Sequence, residues 1–204
     1  MSAGIETVDA LNDTDVAFER ARLPDGRCCS LAVSAGRFVA IEPEGSPARS
    51  GRRVDLGDAL VTPGLVDGHI HLDTTFFGDR WRPHRPCKEG FNVAERVAIQ
   101  KELVAGAAPV RERASSLIER MISRGTSHLR THVEIDLDFQ LRHLEAIVDI
   151  KNRYRDSVSV EIVGFARGTI LRKGTLELLE ESLRQGAEII GGVDPAGYEG
   201  DIAD

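Results

Sequence analysis

The run Val61-Thr62-Pro63-Gly64-Leu65-Val66-Asp67-Gly68-His69-Ile70-His71-Leu72-Asp73 constrains this chain more than any other. A Pro-Gly turn opens it, a short apolar run follows, and two histidines one residue apart close it. A strand places alternate side chains on one face, so His69 and His71 point the same way. Two imidazoles so placed can hold one divalent ion, each through a ring nitrogen at about 2.0–2.1 Å for zinc. With six histidines in 204 residues, chance supplies roughly 0.2 such pairs, so the spacing needs context. The context is a strand whose polar groups come at its far end, where a parallel barrel presents its catalytic side chains.

Beyond Pro63 the hydrophobic pattern alternates between strand and helix, the sign of βαβ units and a parallel sheet. Strands are expected at Leu65 to His71, Ser127 to Val133, Val158 to Phe165 and Glu188 to Val193. Between them, Ala114, Leu117, Ile118, Met121 and Ile122 form one helical stripe ending at Gly125. Leu137, Leu141, Leu144 and Val148 form another. Thr175 is placed to cap a third helix carrying Leu176, Leu179 and Leu183, which stops at Gly186. Before Pro63 the pattern is different. Short strand-like pieces (Val16-Ala17-Phe18, Leu31-Ala32-Val33, Phe38 to Ile41) are separated by turn signals at Pro24-Asp25-Gly26, Gly36-Arg37 and Gly45-Ser46-Pro47. This gives three regions: a disordered lead at 1–14, a small β-region at 15–62, and four βα units at 63–204. Four units are half of an eight-stranded barrel, which takes about 250 residues.

Composition narrows the function classes. Hydrophobic residues make up 41% and charged residues 29% of the chain, as in globular proteins. The formal charge of −7 argues against nucleic acid as a partner. No apolar run approaches the ~20 residues of a membrane span, so no membrane partner is expected. Cys28, Cys29 and Cys87 follow no metal or redox spacing, and the polar N-terminal residues do not read as a secretory signal. A reducing cytoplasm fits both. Gly-rich phosphate loops and a G-x-S-x-G elbow are absent from the sequence.

Several further residues can carry chemistry. Asp67 shares the parity of the histidines and Asp73 follows the strand end. Either could orient a ligand imidazole through its second N–H, and Asp67 could equally be structural. On the second strand, Leu129, Thr131 and Val133 should face helices while His128, Arg130, His132 and Glu134 face inward, with His132 near the functional end. Phe165 and Arg167 hold the same end of the third strand, and Asp194 ends the fourth. The loop from Phe76 to Pro86 holds the only tryptophan, Trp81, as a lid over a planar ring or as a packing element. His143 falls between Arg142 and Glu145 and reads as solvated.

These motifs together resemble the amidohydrolase superfamily, and His71-Leu72-Asp73-Thr74-Thr75, Arg130-Thr131-His132-Val133, Ile162-Val163-Gly164-Phe165 and Gly186 to Gly192 resemble its cytosine deaminase branch. The resemblance implies an α/β fold: the N-terminal half of a (β/α)8 TIM-type barrel, preceded by part of a small β-sandwich. It implies one divalent metal ion, zinc or iron with manganese a further option, held by His69 and His71. It implies hydrolysis of a C–N bond in a cyclic amidine, such as deamination of a pyrimidine, triazine or related heterocycle. His132, Phe165, Arg167, Trp81 and Asp194 would touch that small-molecule substrate. Cytosine deaminases carry glutamine at the position of Arg167. Guanidinium only donates hydrogen bonds, so arginine favours an oxo-rich or anionic ring. The family's remaining ligands and its acid–base groups lie on later strands, so no catalytic acid or base is expected within these residues. The chain alone is therefore expected to be inactive, as a truncated part of a homo-oligomeric parent. A non-catalytic assembly module and one half of a split enzyme are the alternatives.

Overall fold

A computed structural model describes residues 14–45, 52–166, 170 and 172–193. The chain divides into two units, Met1–Pro63 and Gly64–Asp204. Of the lead expected at 1–14, only Thr14 is described, and it is buried rather than disordered; residues 1–13, Arg167 and Asp194 lie outside the described residues.

The first unit is a four-stranded sheet of β1 (Val16–Arg22), β2 (Cys28–Ser34), β3 (Arg37–Pro43) and β4 (Arg53–Asp55), in the order β3-β2-β1-β4. The β2–β3 hairpin turns on Ala35 and Gly36, whose φ values of 49° and 71° match the type I′ turn that fits the twist of antiparallel strands. β4 pairs parallel to β1 and is held by ion pairs from Arg53 to Glu19 and from Arg20 to Asp55. Its three residues carry too little hydrophobic signal to be read from sequence. Ala21, Cys29 and Leu31 form a small core with Phe18, Leu23, Leu56 and Val61.

The second unit begins with β5 (Leu65–Ile70) and continues through α1 (Val93–Ala105), α2 (Val110–Ile122), β6 (Thr126–Ile135), α3 (Arg142–Tyr154), β7 (Ser159–Ala166), α4 (Thr175–Arg184) and β8 (Ile189–Gly192). The four strands run parallel in the order β5-β6-β7-β8. Leu129, Val133 and Ile135 of β6 and Val160 and Ile162 of β7 meet Ile118, Leu144, Ile147 and Leu179 from the helices. Burying each such side chain fully is worth about 1.5–3 kcal/mol. The expected parity of β6 holds: Leu129, Thr131 and Val133 are buried, while His128 and Arg130 are exposed on the other face.

Three local readings change. Thr175 is not a cap: it is buried inside the first turn of α4, and Gly174, with φ at 94°, takes the cap position. α3 starts after Leu141, because Asp136 Oδ1 accepts from the N–H groups of Asp138 and Phe139 and folds Leu137 into a turn. α1 was not foreseen. Asn92 caps it, accepting from the Glu95 N–H at 2.9 Å, so the Asn-x-x-Glu signature was present in the sequence.

Candidate metal centre

His69 and His71 stand at the C-terminal end of β5. The register between β5 and β6 slips between Asp67 and Ile70, an irregularity of the kind that re-aims side chains beside active sites. Asp67 Oδ1 accepts from the His69 backbone N–H at 3.0 Å, so Asp67 fixes the local backbone. The two Nε2 atoms lie 3.4 Å apart. Two nitrogens each about 2.0–2.1 Å from one tetrahedral ion are separated by roughly 3.3–3.4 Å, so the pair fits a shared divalent cation. Among the described residues no set of three His, Cys, Asp or Glu side chains is arranged to hold an ion.

His132 of β6 stacks on His69, with ring centroids 4.0 Å apart and planes 22° from parallel. Its buried Nδ1 has no hydrogen-bond partner. Burial, and then the neighbouring His69 and His71, push the His132 pKa below its usual value, which favours the neutral ring near pH 7. Phe165 of β7 presents its edge to His71 at 5.4 Å and to His132 at 6.2 Å. Three strands thus bring His69, His71, His132 and Phe165 together, as the alternation of the sequence implied. A cavity of about 400 Å³ touches one of the four, His71, and is walled also by Ile70, Thr74, Phe76, Arg96 and Gln100.

Trp81 is placed differently, 84% exposed on the loop after β5, where it lines a second cavity with Phe76 and Arg96. Asp73 is fully buried and turns away from the imidazole pair. Its Oδ2 accepts from the Glu134 N–H at 3.0 Å and lies 3.2 Å from His143 Nδ1. His143 is therefore buried, not solvated; its ring stacks on Phe139 at 4.4 Å. The signal was available: His143, Ala146, Ile147 and Ile150 share one helical face. Arg113, 1% exposed, donates to the carbonyls of Asp73 at 3.1 Å, of Ala108 at 2.7 Å and of Thr75. Gln100 of α1 donates to Glu134 at 3.3 Å, and Lys101 reaches Asp136 at 2.5 Å. The last two bonds tie α1 to the end of β6, and those of Arg113 tie α2 to the segment after β5.

No family model matches the sequence. The chain is 30% identical over 174 residues to the uncharacterized Escherichia coli protein YahJ, covering 84% of this chain and 37% of that protein. It is 28% identical over 156 residues to an N-isopropylammelide isopropyl amidohydrolase of a Pseudomonas species, covering 73% and 38%. The solved structure of N-isopropylammelide isopropylaminohydrolase from Burkholderia multivorans superposes with a TM-score of 0.81 at 30% identity, over 92% of this chain and 47% of that one. The chain belongs to the amidohydrolase superfamily. It spans less than half the length of these relatives. Its two units correspond to part of a small β-sandwich and the N-terminal part of the amidohydrolase barrel.

Proposed function

We propose that this chain supplies the first metal-binding strand and one wall of the substrate cleft in a metal-dependent hydrolase that cleaves a C–N bond of a cyclic amidine. The observation that carries the reading is the 3.4 Å separation of the His69 and His71 Nε2 atoms at the C-terminal end of the first parallel strand. Two similar proteins named for hydrolysis of N-isopropylammelide support a nitrogen heterocycle as substrate.

When bound, a divalent ion (zinc, iron or manganese) supplies Lewis acidity and lowers the pKa of water so that a nucleophile exists near neutral pH. His69 and His71 would hold it. His132, kept neutral by burial and its neighbours, keeps one nitrogen able to accept and one able to donate to a ring edge. Phe165 gives a flat apolar wall against which a planar substrate packs. Arg167 and Asp194, outside the described residues, would contact the substrate, and Arg167 favours an oxo-rich or anionic ring over cytosine. Trp81 contributes from the loop above. Asp67 and Asp73 act indirectly by fixing the backbone on either side of the histidines. The three cysteines are free, and no helix among the described residues is long and apolar enough to cross a membrane; both suit the cytoplasmic setting we propose.

The test is the His69→Ala/His71→Ala double variant of the whole protein that contains this chain. Elemental analysis should show loss of stoichiometric metal, and hydrolysis of the heterocycle should disappear with it. Metal retained at full stoichiometry would overturn the assignment.

A further inference from the structure

Two cavities of the second unit share Phe76, Arg96 and Leu103 as walls. One, of about 400 Å³, touches His71. The other, of about 620 Å³, runs under the loop after β5, and Arg80, Arg82, Arg85 and Arg96 line it. This concentration of positive charge runs against the balance of the chain as a whole, which carries 33 acidic and 26 basic residues. Two of the four guanidinium groups are answered: Arg82 pairs with Asp79 at 2.7 Å and Arg85 with Glu102 at 2.9 Å. Arg80 and Arg96 have no carboxylate partner among the described residues. The Arg96 guanidinium donates to the Arg85 carbonyl, at 2.7 Å. Beside them Trp81 and Phe77 leave large apolar surfaces in water, 84% and 45% exposed. Planar rings flanked by unpaired guanidinium groups match a ligand that is itself planar and carries an oxyanion.

We propose that the arginine-lined cavity binds an oxyanionic substituent, such as a carboxylate, on the substrate whose ring lies beside His71. Arg96 stands in the wall common to both cavities and receives the anion nearest the ring. Arg80 adds a second donor from the rim, and Trp81 covers the planar part. The proposal rests on the hydrolase reading for the reacting end of the substrate. The charge complementarity of the second cavity stands independently of any metal.

Trp81 is the only tryptophan, so its fluorescence reports this cavity alone. The experiment titrates the chain, freed of metal by a chelator, with nicotinate and with nicotinamide, a pair of planar rings differing chiefly in the charge of one substituent. Nicotinate should give a saturable change that weakens with added salt, and nicotinamide should bind at least about ten-fold more weakly. Arg80→Gln and Arg96→Gln should each weaken nicotinate about ten-fold, the loss of one charge-assisted contact. Arg80 contributes no side-chain bond to the fold among the described residues, so its variant guards against misfolding in Arg96→Gln. Equal responses to the two probes, or nicotinate binding unchanged in the Arg80→Gln variant, would overturn the proposal. The His69→Ala/His71→Ala variant separates the two readings: it should lose metal and keep its response to nicotinate.

Discussion

Removing the Asp73 carboxylate should destabilise the second unit more than any single exposed charge could. Asp73 is fully buried, and its Oδ2 serves the Glu134 N–H at 3.0 Å and His143 Nδ1 at 3.2 Å. Glu134 and His143 are themselves 1% and 6% exposed, so water cannot readily replace the lost acceptor. Each stranded buried donor costs about 1–3 kcal/mol. Against this, the Oδ1 of Asp73 is buried without a partner, and its removal recovers part of that cost. The net loss for Asp73→Ala is about 2–4 kcal/mol, a large share of the ~5–15 kcal/mol that holds a domain together. Asp73→Asn keeps the shape and one acceptor for Glu134, and should lose about half as much. Urea unfolding followed by circular dichroism reads this directly. With a slope of about 2 kcal/mol/M, the alanine variant should unfold roughly 1–2 M earlier. A shift under about 0.5 M would show that the Asp73 bonds are replaced on mutation, and would refute the role assigned to them.

Two further outcomes follow from the same geometry. Asp79 has its pKa lowered from 3.8 to about 2 by the Arg82 side chain and then by the Ala108 N–H, so the folded state favours the carboxylate. Its stabilisation of the loop is present in full above pH 3.8, declines below that and is lost as pH falls through about 2. Trp81 fluorescence should therefore show the loop intact at pH 5 and released near pH 2, and an Asp79→Asn variant that kept the same acid transition would contradict this. Gly164→Ala would place a Cβ 2.8 Å from Ser182 Oγ and 3.3 Å from Ala187 Cβ, so crowding between β7 and α4 should cost about 1–3 kcal/mol in thermal or urea melts. Unchanged stability would mean the two elements can separate freely.

The pairing of His69 with His71 was legible because it depends on a local rule. Strand period alone put His69 and His71 on one face, and the same parity placed His132 and Phe165 toward them. The parallel sheet followed from the alternation of patterns and the spacing of its apolar runs. What could not be read were contacts set by distant segments. Asp73 and His143 are 70 residues apart, and nothing near either names the other. α1 was missed because its apolar side is interrupted: Val97, Gln100 and Val104 lie on one face, and the glutamine is there for Glu134. Arg113 sits in a helical stripe that the sequence reading filled with apolar residues only, yet its guanidinium is spent on three backbone carbonyls.

These long-range polar contacts explain how the strand that presents His69 and His71 is held. β5 is poorly packed where it begins: Leu65 and Val66 are 57% and 72% exposed, so apolar burial cannot fix the start of the strand. Order is imposed from beyond its far end. Leu72 is fully buried and its N–H donates to Thr131 Oγ1 at 3.1 Å. Asp73 ties the next residue to β6 and α3, and Arg113 ties the carbonyls of Asp73 and Thr75 to α2. His71 thus precedes a segment pinned at three successive points by hydrogen bonds. Such bonds are directional, so they fix orientation as well as position. A shared ion needs that from two imidazoles. Substitutions in this network should loosen the His69–His71 geometry even where the fold survives, and metal affinity is the property that reports it.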